Sequence, residues 1–136
     1  MALLLMVDDN PQTCRAMERI VRHRTTHEIC FAGDSREAIE RLVDRRPEVI
    51  FLDLFLPGTD GFRFFDILRS HPATASIPII IHTAVPLDEM TQIRLRRVRH
   101  DGFLEFPVEA TALNRMIDIA LRRGRQIERT WTPPEA

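Results

Sequence analysis

The amino-acid sequence predicts a three-layer α/β domain in which a five-stranded parallel sheet is covered by helices on both faces. Five short apolar runs, rich in β-branched residues, alternate with five segments of helical periodicity, as in domains built on parallel sheets. The runs are apolar almost throughout, as strands buried on both faces are. The length of 136 residues suits one domain with its own core. The predicted strands are residues 3–7, 28–32, 48–53, 78–83 and 102–106.

The helices are predicted from their apolar periodicity and from the residues at their ends. Asn10 followed by Pro11 predicts the start of the first helix, because a proline at the first helical position loses no hydrogen bond. Ser35 is the predicted N-cap of the second helix. The last helix is predicted over residues 110–123, with Gly124 as its stop signal.

These elements place the domain at residues 1–123, followed by a C-terminal helical extension or linker stub over residues 124–136.

The composition favours an ordinary soluble domain. Apolar residues make up 44% and charged residues 29%, the apolar runs are too short to cross a bilayer, and no basic leader precedes the first run, so we expect a cytoplasmic protein. The net charge of −1 gives no overall attraction to nucleic acid or to anionic lipid, and we expect direct contact with neither. Cys14 and Cys30 lack paired spacing, which predicts reduced thiols rather than a disulfide or a zinc site.

Polar side chains stand where predicted strands end. Asp8 and Asp9 follow the first strand, Asp53 ends the third and Thr83 ends the fourth. In open parallel sheets ligands bind at this edge, so the three carboxylates are expected to meet there and to need a cation. An all-oxygen set favours Mg²⁺, and an aspartate beside that ion can attack phosphorus as a nucleophile.

The ordered combination of three segments resembles the receiver domain of two-component response regulators, the CheY-like superfamily. The segments are Val7-Asp8-Asp9-Asn10, the run from Phe51 to Gly61, and His82-Thr83-Ala84, within a resemblance that covers about residues 3–123. It implies a flavodoxin-like fold with strand order 2-1-3-4-5. It also implies two kinds of partner: a sensor histidine kinase or His-phosphotransfer protein, and a downstream output protein or domain. The fourth helix, fifth strand and fifth helix often form the output or dimer surface in this family, so a homodimer is a further option.

The resemblance assigns roles to the acidic residues. Asp53 resembles the phosphoacceptor. Asp9, Asp53 and the backbone carbonyl of Phe55 resemble the direct Mg²⁺ ligands, and Asp8 would act mainly through metal-bound water. The family signals through protein partners, so the chain is not expected to be an enzyme with an external substrate.

Two further residues resemble a conformational switch. Thr83 resembles the hydroxyl that moves to hydrogen-bond the phosphoryl group, and Phe103 resembles the aromatic residue that changes rotamer with it. Phosphorylation would then bias a two-state element containing both residues.

One residue departs from the family pattern. The family usually places a lysine immediately before the proline that follows the fifth strand, where its ammonium pairs with the phosphoryl oxygens, and here Phe106 precedes Pro107. A benzyl group supplies no cation, so we expect weaker phosphoryl stabilisation, weaker coupling to Thr83, or both. Two hypotheses follow: a phosphoacceptor receiver that uses Asp53, or a degenerate receiver that acts as a phosphorylation-independent protein-binding adaptor.

Simpler interpretations exist for each of these residues. The pair Asp8-Asp9 would suit a helix N-terminus, Asp53 alone could start a turn, and Thr83 alone could be a satisfied strand-end hydroxyl. His82 is expected to be a strand residue rather than a catalytic base. Phe106 is expected to pack in the core.

Overall fold

A central sheet of five parallel strands and a short separate hairpin make up the strands of the domain. The computed structural model describes the backbone of residues 1–130 and the side chains of residues 1–124. The strands are β1 (Leu3–Val7), β2 (Glu28–Ala32), β3 (Val49–Asp53), β4 (Phe55–Leu56), β5 (Thr59–Asp60), β6 (Ile79–Thr83) and β7 (Gly102–Glu105). The helices are α1 (Pro11–Arg24), α2 (Ser35–Asp44), α3 (Gly61–Ser70), α4 (Glu89–Arg97) and α5 (Ala110–Thr130).

The order of the strands in the central sheet is β2-β1-β3-β6-β7, and every neighbouring pair is parallel. Strands β4 and β5 pair only with each other, as an antiparallel hairpin between β3 and α3. The five strands of the sheet, taken in sequence, therefore have the predicted order 2-1-3-4-5, and the flavodoxin-like fold is confirmed. The predicted strand bounds are correct to within one residue.

Two apolar clusters separate the sheet from the helices on its two faces. Every residue of β1, β3 and β6 is buried, which explains why these runs carry no polar alternation. Ile50 and Ile81 pack with α2, α3 and α4, whereas their neighbours Phe51 and Ile80 pack with α1 and α5. Successive side chains on a strand point to opposite faces, so one apolar run serves both clusters.

The predicted start of α1 is confirmed, and the predicted cap of α2 is wrong by one residue. The Asn10 side chain accepts hydrogen bonds from the backbone N–H groups of Gln12 and Thr13 at 2.9 and 3.2 Å. The N-cap of α2 is Asp34, whose carboxylate accepts from the Glu37 N–H at 2.8 Å, and Ser35 is the first helical residue. A carboxylate is favoured over a hydroxyl here because it also meets the positive end of the helix dipole.

Gly124 does not end the last helix as predicted, because α5 continues through it to Thr130. A Cβ at this position would lie 2.9 Å from Cγ of Pro78, at the entry to β6. The glycine therefore permits close packing of α5 against that loop, and local sequence alone cannot distinguish this role from a stop signal. Residues 131–136 of the predicted extension lie outside the described residues.

The mostly buried Arg69 connects the end of α3 to two loops. Its Nη1 donates to the carbonyls of Ile77 and Ala75 at 2.6 and 3.1 Å, and its Nη2 donates to Oδ2 of Asp101 at 2.9 Å. The same Asp101 oxygen accepts from the Ile79 N–H at 2.8 Å, at the start of β6. One guanidinium thus orders the chain as it enters both β6 and β7.

Two expectations from composition bear on the described part of the chain. Cys14 and Cys30 are free, and both are only partly buried. Within residues 1–130, no helix has both the length and the apolar character needed to cross a membrane.

Candidate functional site

Three polar side chains from neighbouring strands meet at the carboxyl edge of the sheet. Each of them comes two positions after a residue that packs in the cluster facing α1 and α5. Asp8 follows Met6 in this way, Asp53 follows Phe51, and His82 follows Ile80. The strand period of two therefore brings these three side chains to the same face. One ligand atom from each lies within 4.8 Å of the others. All three residues are buried, with relative exposures of 4%, 8% and 0%.

Asp8 is held by its own loop and by β6. One carboxylate oxygen, Oδ1, accepts from the Asn10 N–H at 2.8 Å. The other, Oδ2, lies 2.9 Å from Nε2 of His82 in a fully buried contact. An ionised carboxylate only accepts hydrogen bonds, so Nε2 carries the hydrogen and donates it.

His82 is the site residue that sequence reasoning missed, because it was expected to be an ordinary strand residue. It lies on β6, where it is the register partner of Asp53 on the neighbouring strand β3. Its Nδ1 atom is buried and has no hydrogen-bond partner among the described residues. The available signal was a histidine at an inward position of an otherwise apolar strand, two residues after Ile80.

Asp53 is a carboxyl group in an unfavourable setting for its charge. Burial, in the first place, raises its pKa from 3.8 to about 6, and the negative charges of Asp8 and Asp9 add to this rise. The N–H of Phe55, which donates to Oδ1 of Asp53 at 3.0 Å, and the nearby His82 act in the opposite direction on the pKa. The ionised form of Asp53 is therefore a high-energy state that a bound cation would relieve.

Asp9 occupies a different position from the other two acids. It is exposed and does not belong to the group formed by Asp8, Asp53 and His82. Instead it lines an open cleft of about 530 Å³ together with Phe55, Asp60 and Arg94. Across the cleft, Nη1 of Arg94 pairs with Oδ2 of Asp60 at 3.0 Å. Asp9 still raises the pKa of Asp53, so its charge is felt at the buried group.

The donor set fits a divalent cation of the Mg²⁺ type. Two buried carboxylates converge, Asp9 adds a third negative charge, and the adjoining cleft is open to water. Mg²⁺ is typically held by one or two carboxylates while it keeps several waters, and this arrangement offers both.

The residues predicted as the switch are engaged with their own surroundings. Thr83 is buried, and its hydroxyl donates to the Val85 carbonyl at 3.0 Å and accepts from the Val85 N–H at 3.1 Å. Phe103 is partly buried against the cluster facing α2, α3 and α4, and lines a small cavity beside Leu95. This geometry matches the satisfied strand-end hydroxyl for Thr83, and the switch role stays a prediction.

Phe106 packs beside the site and contributes no charge to it. It is 9% exposed and belongs to the cluster facing α1 and α5. Its ring meets the imidazole of His82 edge-on, with centroids 5.5 Å apart and planes at 78°. The bond from Phe106 to Pro107 is cis, as the resemblance implies. At the position where the family usually has a lysine, this protein therefore has an apolar side chain that packs against His82.

Comparison with known proteins assigns the family. Residues 4–118 match the family described as the response regulator receiver domain. The chain belongs to that family. The transcriptional regulatory protein AfsQ1 of Streptomyces coelicolor is 31% identical to this receiver over 126 residues, covering 93% of the receiver and 54% of AfsQ1.

Two further relatives agree with this assignment. The phosphate regulon transcriptional regulatory protein PhoB of Pseudomonas aeruginosa is 32% identical over 120 residues, covering 88% of the receiver and 52% of PhoB. The solved structure of chemotaxis protein CheY4 of Vibrio cholerae superposes with a TM-score of 0.78 at 25% identity, covering 89% of the receiver and 98% of that chain. The receiver thus spans about half the length of these two regulators and almost all of CheY4.

The raised pKa of Asp53 has a measurable effect on the stability of the receiver. In EDTA at about pH 7.5, Asp53→Asn is expected to raise the free energy of unfolding by roughly 1–2 kcal/mol, because it removes the cost of ionising a buried carboxyl. The folded pKa is about 6 and the ordinary value is 3.8, so the wild type loses stability as the pH rises between these values. The gain from the substitution should therefore shrink as the pH falls from about 6 to about 4.

Urea denaturation across that pH range measures the effect. Asp66→Asn, which changes an exposed acid on α3, is the matched control and should leave the free energy of unfolding nearly unchanged at every pH. An Asp53→Asn protein no more stable than wild type at neutral pH would contradict the electrostatic account of the site.

Proposed function

We propose that this receiver accepts a phosphoryl group on Asp53 with the help of Mg²⁺ and passes the signal to protein partners. The observation that carries the proposal is the buried meeting of Asp8 and Asp53 at the carboxyl edge of the sheet, where the charge on Asp53 is poorly stabilised. Phosphorylation and Mg²⁺ binding are typical of the receiver family, and this supports the proposed roles of Asp53 and Mg²⁺.

Phosphoryl transfer requires the protein mainly to position the reacting groups and to stabilise their charge. A carboxylate oxygen of Asp53 forms the new bond to phosphorus, while the bond from phosphorus to the donor breaks and its electron pair leaves with the donor. The Phe55 N–H, already bound to Oδ1 of Asp53, orients the carboxylate for attack. Asp53 must be ionised to act as a nucleophile, and a cation beside it would favour that form.

The proposed metal ligands are Asp9, Asp53 and the carbonyl of Phe55, with Asp8 acting through a water. When bound, Mg²⁺ supplies positive charge that offsets the charge on the transferring phosphoryl group. The pairing of Asp8 with His82 is compatible with this role, because it leaves the second oxygen of Asp8 free to accept from water as well as from the Asn10 N–H.

We further propose that Thr83 and Phe103 respond to the phosphoryl group and that the response is communicated through protein surfaces. The phosphodonor would be a sensor histidine kinase or a His-phosphotransfer protein in the cytoplasm. AfsQ1 and PhoB are transcriptional regulators about twice as long as the matched segment, which makes a transcriptional output one reasonable downstream process.

Intact-mass spectrometry tests the phosphoacceptor directly. Incubation with acetyl phosphate and Mg²⁺ is expected to add one phosphoryl group to the wild type and none to Asp53→Asn. The Asp66→Asn control should be modified like the wild type, and EDTA should suppress the reaction. A wild type that gains no phosphoryl group while a competent receiver in the same buffer does would overturn the proposal.

The degenerate adaptor is the second candidate function, favoured by Phe106, which supplies no cation. It predicts that a folded Asp53→Ala protein still signals normally in cells. Loss of signalling by that variant, with its melting temperature retained, would eliminate the adaptor and favour phosphorylation.

A further inference from the structure

The group formed by Asp8, Asp53 and His82 combines two acceptors with one donor. A phosphoryl group on Asp53 would bring additional negative charge and three strong acceptor oxygens into this buried space. The carboxylate of Asp8 can only repel it. Of the three side chains, His82 alone carries an N–H, and one ligand nitrogen of its ring lies within 4.8 Å of the ligand oxygen of Asp53.

We propose that the Nε2–H of His82 is a side-chain donor that stabilises the phosphoryl group on Asp53, turning to it from Asp8. The inference rests on the proposed phosphorylation of Asp53 and adds a residue to its machinery. It requires only the hydrogen that the contact with Asp8 already places on Nε2. It also supplies a donor at a site where Phe106, in place of the family's lysine, leads us to expect weaker stabilisation of the phosphoryl group.

The imidazole is held ready for this role by its surroundings. It is fully buried, it lies across from Asp53 in the β3–β6 register, and the Phe106 ring packs edge-on against it. The ring therefore already lies near Asp53 before the reaction, and its N–H needs only to exchange one acceptor for another when charge develops nearby. Phe106 thereby contributes packing that orients the donor.

The unpartnered Nδ1 of His82 argues against a role in packing alone. A buried polar atom without a hydrogen bond destabilises a fold, and an apolar side chain at this strand position would avoid the loss. Features that lower stability in this way are concentrated at functional sites. The contact with Asp8 satisfies the hydrogen-bonding capacity of Nε2. It does not explain why a side chain with a second, unsatisfied nitrogen occupies a position flanked by Ile80 and Phe106.

Variants at position 82 separate phosphoryl stabilisation from support of Asp8. His82→Val removes the donor, whereas His82→Gln retains an N–H at a similar distance from the main chain. At saturating Mg²⁺, the rate constant for phosphorylation by acetyl phosphate is expected to fall about ten-fold or more in His82→Val, the loss typical of a hydrogen bond to a charged group. His82→Gln should recover most of that loss, and His23→Gln, which changes an exposed histidine, should match the wild type.

Spectroscopy supplies a second measurement, which uses the wild-type protein and does not depend on the folding of the His82→Val variant. In ¹⁵N-histidine-labelled wild type, the Nε2 resonance of His82, identified by its loss in His82→Gln, should shift when beryllofluoride binds with Mg²⁺, relative to Mg²⁺ alone. An unmoved resonance overturns the inference even if His82→Val fails to fold. A folded His82→Val protein that is phosphorylated at the wild-type rate also overturns it and leaves the proposed function intact. A wild type that is never phosphorylated overturns both.

Discussion

Gly61→Ala is expected to destabilise the receiver by about 3 kcal/mol or more, because the added methyl group has no room. A Cβ on Gly61 would lie 2.6 Å from both Cα and the carbonyl oxygen of Leu54 and 2.7 Å from the carbonyl oxygen of Asp53. These are backbone atoms at the end of β3, and they cannot turn away as a flexible side chain would. The Gly61 N–H also donates to the Leu54 carbonyl at 3.1 Å, so a shift would break this bond and move the segment that carries Asp53.

Gly33→Ala is the matched control for this prediction. The atom nearest to a Cβ on Gly33 is Oε2 of Glu37 at 3.6 Å, an ordinary contact with the end of a side chain. Its free energy of unfolding in urea should stay within about 0.5 kcal/mol of wild type. Equal losses in the two variants would show that crowding beside Asp53 is not what requires a glycine at position 61.

Arg69→Met is expected to lower the free energy of unfolding by about 3 kcal/mol, because it leaves the mostly buried carboxylate of Asp101 and several backbone carbonyls without their donor. Burial already lowers the pKa of this guanidinium, and Asp101 counteracts that shift, so the charge depends on its partner. The side chains of Arg69 and Asp101 are 20% and 12% exposed, which leaves little water to replace the lost contacts. Thermal or urea unfolding measures the change.

An exposed ion pair in the same protein provides the comparison. Arg45 and Glu28 make a two-pronged contact at 2.9 and 3.1 Å, but both side chains are about half exposed. Water and salt screen such pairs, so Arg45→Met should have a much smaller effect than Arg69→Met. Similar losses from the two substitutions would mean that burial is not what makes Arg69 important.

The parts of the fold that could be predicted are those encoded by short-range pattern. Strands buried on both faces must be apolar almost throughout, so the runs predicted at 48–53 and 78–83 are recognisable without any knowledge of their neighbours. The Asn10-Pro11 start of α1 was predictable for a similar reason, since the cap contacts lie within three residues. The convergence of Asp8 and Asp53 followed from the rule that parallel strands end at a common edge.

The parts that were missed depend on contacts between residues distant in sequence. Gly124 permits close packing against Pro78, and nothing near it in sequence announces this. His82 contacts Asp8 across 74 positions, so its membership of the site becomes visible only when β1 and β6 are placed around β3. Asp9 has a polar environment of its own in the cleft, which adjacency to Asp8 did not predict.

A magnesium titration of the melting temperature tests most directly whether the acids at this edge share one cation. If they do, the wild type should melt at higher temperature as Mg²⁺ is added at constant ionic strength, and the rise should follow a single binding isotherm. Asp53→Asn should remove most of that rise, and Asp66→Asn should preserve it. A wild-type melting temperature that Mg²⁺ leaves unchanged, or a rise that persists in Asp53→Asn, would contradict a metal centre built on Asp53.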